Sequence, residues 1–282
     1  MAFLRARAIS GVEEVTAGTY RRSLRLESGG GVVTVTVGSA GVGCELELDD
    51  LADADGAAAR CRRLFDLDAD PGEVSAVLGR DPLLEELVRR RPGLRVPGTV
   101  DGFELAVRAI VGQQVSVAGA RTVLGRLVAE HGEPLAAEPD GSGARGPASR
   151  GGLARAPAPG ALTHRFPAPA VLAEADPGAF PFPRTRADAL IEVARLAVSG
   201  ELRLDPPADP AETRAALTAV RGIGPWTASY IAMRALGDPD AFLPGDVGVR
   251  HGLARLNGEA DPELWRPFRS YAVMHLWRSL DG

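Results

Sequence analysis

The sequence predicts an α+β protein, with an N-terminal antiparallel sheet domain carrying helices, followed by a mainly α-helical core. Two observations carry this. Short period-two segments, "YRRSLRL", "GVVTVTVG" and "CELELDD", crowd residues 20–50, and from Pro71 onward apolar residues recur near helical spacing. Size agrees, because 282 residues at 45% apolar composition can bury a substantial core.

The period-two segments read as three strands between Tyr20 and Leu48, separated by Gly, Ser and Asp. "DADGAAARCRRLFDL" then places Ala59, Leu64 and Phe65 near one face of a helix. An α+β domain is therefore expected over residues 1–75, structural or docking in role because it offers no convergent polar cluster. The remaining 76–282 is expected as the helical core. Its first helices lie in "PGEVSAVLGR", "DPLLEELVRRRPG" and "DGFELAVRAIVGQQVSVAGARTVLGRLVAEHG", with Gly112 as the break in the last. After Pro134 the Pro/Gly/Ala/Arg tract "AAEPDGSGARGPASRGGLARAPAPGALTH" has little to bury, so a flexible insertion is expected at about 135–165. Arg145, Arg150 and Arg155 make a binding tail the second reading of that tract. Helices resume at "PAVLAEADPGAF", "PRTRADALIEVARLAVSG" and "DPAETRAALTAV", each opened by Pro or Asp.

Composition excludes several classes. No apolar run approaches the roughly 18 residues needed to cross a bilayer, and "MAFLRARAIS" lacks a signal-peptide core, so no membrane association and a cytoplasmic address are expected. Cys44, Cys61 and the four histidines show no metal or iron-sulfur spacing. All 32 basic residues are arginine. A net charge of −5 weighs against a broad basic surface, although arginines and acids are equal in number over 211–282.

The stretch "AVRGIGPWTASYIAMRALGDPDAFLPGD" is the most informative. Gly222 and Gly224 sit in a tight connection between two helical runs, and Pro225 stands where the second begins. Alone this reads first as an αα-hairpin turn. The alternative is that the amides of the turn and of the helix N-terminus face a phosphate, which needs no basic patch. Asp246 precedes "VGVRHGLARL" in the position of an N-cap, which is compatible with a charge-stabilising role. Trp226, Tyr230, Trp265, Tyr271 and Trp277 concentrate in the last fifth of the chain and suggest a stacking pocket near that acid.

"LTAVRGIGPWTASYIAMRALGDPDAFLPGDVGVRHGL" resembles the helix-hairpin-helix and Gly/Pro-Asp region of the base-excision DNA glycosylases, and within them the alkylation-repair branch, DNA-3-methyladenine glycosylase II. "FLRARAISGVEEV", "RRLFDLDADP", "RPGLRVPGTVDGFELAVRAIVGQQVSVAGA" and "RPFRSYAVMHLW" extend the likeness over nearly the whole chain except the insertion. The resemblance implies a helix-hairpin-helix at about 211–237 and a double-stranded DNA partner containing alkylated bases such as 3-methyladenine and 7-methylguanine. The target base is flipped out of the stack and its N-glycosidic bond hydrolysed. It implies Asp246 as the catalytic residue and a base pocket of Trp226, Tyr230, Trp277, Gln113 and Val117. DNA contacts fall to Gln114, polar where an apolar wedge is usual, and to Gly222, Ile223, Gly224 and Thr227. No cofactor is required, and a structural monovalent cation is expected on the backbone of Thr218, Val220 and Gly222. Val247 and Gly248, small where bulkier residues can follow the acid, suggest a more open pocket.

In the bifunctional glycosylases a lysine forms a Schiff base; Trp226 occupies its place, and with no lysine in the chain a side-chain Schiff base is excluded, so a monofunctional enzyme is expected. A nucleoid-associated monomer in a bacterial cytoplasm is expected, and because the first matched segment lies close to the start of the sequence two hypotheses stand: a missing upstream strand, or a partner domain such as an alkyl-transfer regulator preceding the chain in a longer product. Two other readings stay open: a non-catalytic helix-hairpin-helix DNA-binding module, and a glycosylase for deaminated or oxidised bases such as hypoxanthine.

Overall fold

A computed structural model describes residues 1–39, 41–135, 161–257 and 260–280. Helix α1 (Ala2–Arg7) leads into strands β1 (Glu13–Val15), β2 (Thr19–Arg25), β3 (Gly30–Gly38) and β4 (Gly41–Leu48). Each strand pairs antiparallel with the next, in the order β1-β2-β3-β4. The predicted sheet is present, with β1 beyond the three strands expected. At three residues β1 is too short to display an alternation.

Helices α2 (Ala54–Leu64), α3 (Pro71–Leu78), α4 (Pro82–Arg90), α5 (Gly102–Val111) and α6 (Val117–His131) follow. Asp70, Asp81 and Asp101 cap three of them, accepting from the amides of Gly72 at 2.8 Å, Leu83 at 2.9 Å and Glu104 at 2.8 Å. Pro71 and Pro82 fill the next position, where a missing N–H costs nothing. Strands β5 (Glu133–Pro134) and β6 (His164–Arg165) come next, then α7 (Pro169–Ala173), α8 (Arg184–Ser199), α9 (Pro210–Ala219), α10 (Pro225–Ala235), α11 (Val247–Leu256) and α12 (Arg269–Arg278).

Most of the expected insertion, 136–160, lies outside the described residues. Its flanks do not fit the flexible reading: β5 and β6 pair, Leu135 N donates to Thr163 O at 2.9 Å, and Arg165 bridges Glu133 and Asp49. Backbone pairing and charge hold these residues where composition alone suggested nothing would.

The chain divides into two compact units, Met1–Ala57 with Ser116–Ala168, and Ala58–Val115 with Pro169–Gly282. This grouping differs from a cut near residue 75. Helix α6 goes with the sheet because it packs on α1 and β6, with Arg121 Nε donating to Ala8 O at 3.0 Å. Residues 58–75 go with the helices because Arg63 donates to Thr99 O and Asp66 accepts from Val96 N and the Tyr271 hydroxyl.

In the first unit Tyr20, Val33 and Val35 are fully buried on β2 and β3, where Tyr20 pairs with Val35. A buried acid, Glu13, accepts from the Tyr20 hydroxyl at 2.6 Å and from Ile9 N at 2.8 Å, which offsets its desolvation. In the second unit α5 is buried along nearly its whole length from Phe103 to Val111, packed against α8 and α10, with Glu104 paired to Arg108. A further core gathers Leu78, Leu84, Met233, Leu243, Trp265, Val273 and Leu276. No helix among the described residues is long and apolar enough to cross a membrane.

Candidate active site

Helices α9 and α10 and the turn between them form the predicted helix-hairpin-helix within the second unit. Gly222 has φ +97°, a conformation L side chains rarely adopt, and a Cβ there would lie 3.4 Å from Thr185 O on α8. Val220 and Ile223 are buried beneath the turn, with Ile223 N donating to Val220 O at 3.1 Å. Helix α10 starts at Gly224 without a side-chain cap, and Gly222 and Gly224 are exposed. Thr227 is buried, so the turn presents backbone outward rather than the Ile223 or Thr227 side chains. Gln113, just past α5, anchors the turn: its Nε2 donates to Gly222 O at 3.1 Å and to Thr227 Oγ1 at 3.2 Å.

Asp246 caps α11 as its sequence position predicted, reached through Gly245 at φ +82°. Its Oδ1 accepts from Val249 N at 2.7 Å and from Trp277 Nε1 at 2.8 Å. Its Oδ2 accepts from Trp226 Nε1 at 2.9 Å. All three partners are donors, contributed by α11, α12 and α10, so the carboxylate is fixed by three separate elements.

The same tryptophans build an aromatic wall. Trp226 stacks on Tyr230 with centroids 5.3 Å apart and planes 8° apart, and Tyr230 meets Trp277 at 6.4 Å and 47°. Trp226 remains 36% exposed. The other two aromatics expected near the acid are elsewhere. Trp265 is fully buried and donates to Asp81 Oδ2, and Tyr271 donates to Asp66. The concentration of aromatics at the C-terminus is thus divided between the wall beside Asp246 and the core.

Gln114 is exposed and has φ +57°, a backbone conformation uncommon for a non-glycine residue. Val117 opens α6 in the first unit and is 44% exposed. Gly248 does not open the pocket: the space beside it is filled by Trp277, whose Cδ1 would lie 2.7 Å from a Cβ at that position. The Thr218 carbonyl lies in the last turn of α9, and the Val220 and Gly222 carbonyls accept from Ile223 N and Gln113. Carbonyl oxygens at a helix C-terminus suit a hard monovalent cation, and each retains a lone pair.

Sequence reading missed Arg234. It is 6% exposed; its Nη1 donates to the Tyr230 hydroxyl at 2.7 Å, Nε to Pro97 O at 2.6 Å and Nη2 to Gly98 O at 2.9 Å. The i, i+4 spacing of Tyr230 and Arg234 on one helix was the available signal.

Residues 1–101 match the AlkA N-terminal domain family. Over 99% of its length the chain is 44% identical to a Mycobacterium tuberculosis protein described as a probable bifunctional transcriptional activator/DNA repair enzyme AlkA, of which it spans 53%. Over 98% of its length it is 37% identical to DNA-3-methyladenine glycosylase 2 of Escherichia coli, of which it spans 91%. Its fold is similar to that of a 3-methyladenine DNA glycosylase from Archaeoglobus fulgidus, with TM-score 0.75, 22% identity and coverage of 98% of this chain and 92% of that one.

Proposed function

The chain belongs to the DNA-3-methyladenine glycosylase 2 family, and on that premise we propose that it is a monofunctional glycosylase releasing alkylated bases from double-stranded DNA. The observation that carries this reading is Asp246, held on both oxygens by the indole N–H groups of the two tryptophans that flank it. A carboxylate so fixed is preorganised for a positive charge that develops in the transition state.

The chemistry follows from the substrate. Alkylation at N3 or N7 places a positive charge on the base, which weakens its glycosidic bond and draws it to electron-rich rings. Once flipped, the base is received by Trp226, Tyr230 and Trp277, with Gln114 entering the gap it leaves and Gln113 beside the site. The C1′–N bond breaks with its electron pair going to the base, which cancels the base's charge. Asp246 stabilises the cationic sugar, and water adds at C1′ with loss of a proton. The exposed backbone at Gly222 and Gly224, with the uncapped start of α10, suits a phosphate. This permits DNA binding at a net charge of −5.

We assign no side-chain amine to the reaction, since the chain has no lysine. The carbonyls of Thr218, Val220 and Gly222 would seat a monovalent cation that steadies the turn, and replacing potassium by tetramethylammonium should then weaken DNA binding. We further propose that the chain acts as a monomer on DNA in a bacterial cytoplasm, and that an upstream alkyl-transfer domain precedes it in a longer product. Native mass in cell extract tests both statements. The activity test is incubation with methylated duplex DNA, scoring free base and strand breaks before and after alkali. Free 3-methyladenine or 7-methylguanine with breaks only after alkali is expected. Binding without base release would favour a non-catalytic module, and breaks before alkali would remove the monofunctional reading.

A further inference from the structure

Helix α11 carries Gly248 as its second residue, where the backbone does not require glycine, since its φ lies outside the left-handed region. Glycine is a less favourable helix residue than alanine, so its presence asks for a steric reason. The surroundings supply one. A Cβ at 248 would lie 2.7 Å from Trp277 Cδ1, 2.9 Å from Trp277 Nε1 and 3.1 Å from Asp246 Oδ1. The indole cannot yield freely, because it packs against the helical core and meets Tyr230.

We infer that Gly248 is a positioning residue for base excision: its missing side chain seats Trp277 against α11 with Nε1–H on Asp246. The inference rests on Asp246 as the catalytic carboxylate. A side chain at 248 drives the ring off the helix, removes one of the three donors that fix Asp246, and moves one wall of the aromatic site. The consequence falls on turnover rather than on DNA affinity, because the hairpin lies on α9 and α10.

The test is a double-mutant cycle of Gly248→Ala and Trp277→Phe on 7-methylguanine duplex, read by kcat, KM and tryptophan emission. Gly248→Ala is expected to lower kcat roughly tenfold, with KM little changed and the emission spectrum shifted. In the Trp277→Phe background, which lacks both the donor and the five-membered ring, adding Gly248→Ala should change neither readout further. Should Gly248→Ala fold poorly, rescue by Trp277→Phe supports the placement and failure to rescue overturns it. Equal effects of Gly248→Ala in both backgrounds, or none in either, overturn it too. If the wild type releases no base, the glycosylase reading fails, and the emission cycle still decides whether Gly248 seats Trp277.

Discussion

His275 gives a pH dependence whose sign and size come from its surroundings. It is 2% exposed on α12, its Nδ1 lacks a hydrogen-bond partner, and burial together with the nearby Arg91 charge pushes its pKa down from 6.5 to about 4, against the opposing pull of the Leu87 carbonyl. The folded protein therefore holds His275 neutral where the unfolded chain is protonated. Stability from this residue is complete above pH 6.5 and is lost as pH falls toward 4. The gap corresponds to about 3 kcal/mol. Burial raises the pKa of Asp66 and Asp101, which works in the opposite direction. The decisive quantity is thus a difference: urea unfolding of wild type and His275→Gln at pH 7, 6, 5 and 4. Wild type should lose about 3 kcal/mol more than the variant across that range. Parallel pH profiles would refute the account of a neutral, desolvated imidazole.

Two further perturbations probe the site's supports. Arg234→Met should cost about 3 kcal/mol or more by urea unfolding, because it strands the carbonyls of Pro97 and Gly98 and frees the Tyr230 hydroxyl, whereas Tyr230→Phe should cost only about 1 kcal/mol. Similar costs for the two would show that Arg234 is not the anchor. Gly222→Ala should destabilise by about 1–3 kcal/mol, since φ +97° is strained for alanine, and should weaken duplex binding measured by fluorescence anisotropy. Unchanged affinity would detach the turn from DNA.

What could be read from the sequence was local. Asp-Pro pairs at 70–71, 81–82 and 209–210 announced helix starts because cap and N1 chemistry act within four residues. The glycine turn and the Asp246 cap were legible for the same reason. What escaped was long-range. Gln113 reaches Gly222 and Thr227 across more than a hundred positions, and Glu133 meets Arg165 across a tract whose composition argued for disorder. Trp265 and Trp277 have the same local credentials, yet one is core and the other faces the acid, because only tertiary packing decides which side of a helix is covered. Gly248 was misread for a related reason: a missing side chain reads as open space until the ring that fills it is in view.

We propose Asp246, clamped by Trp226 and Trp277, as the catalytic carboxylate. Single-turnover release of 7-methylguanine from duplex DNA by wild type and Asp246→Asn, with DNA affinity measured alongside, tests it most directly. Asparagine can still cap α11 through its carbonyl oxygen, so fold and binding should persist while the rate falls about a hundredfold or more. An Asp246→Asn protein that binds DNA and releases base at the wild-type rate would contradict the claim.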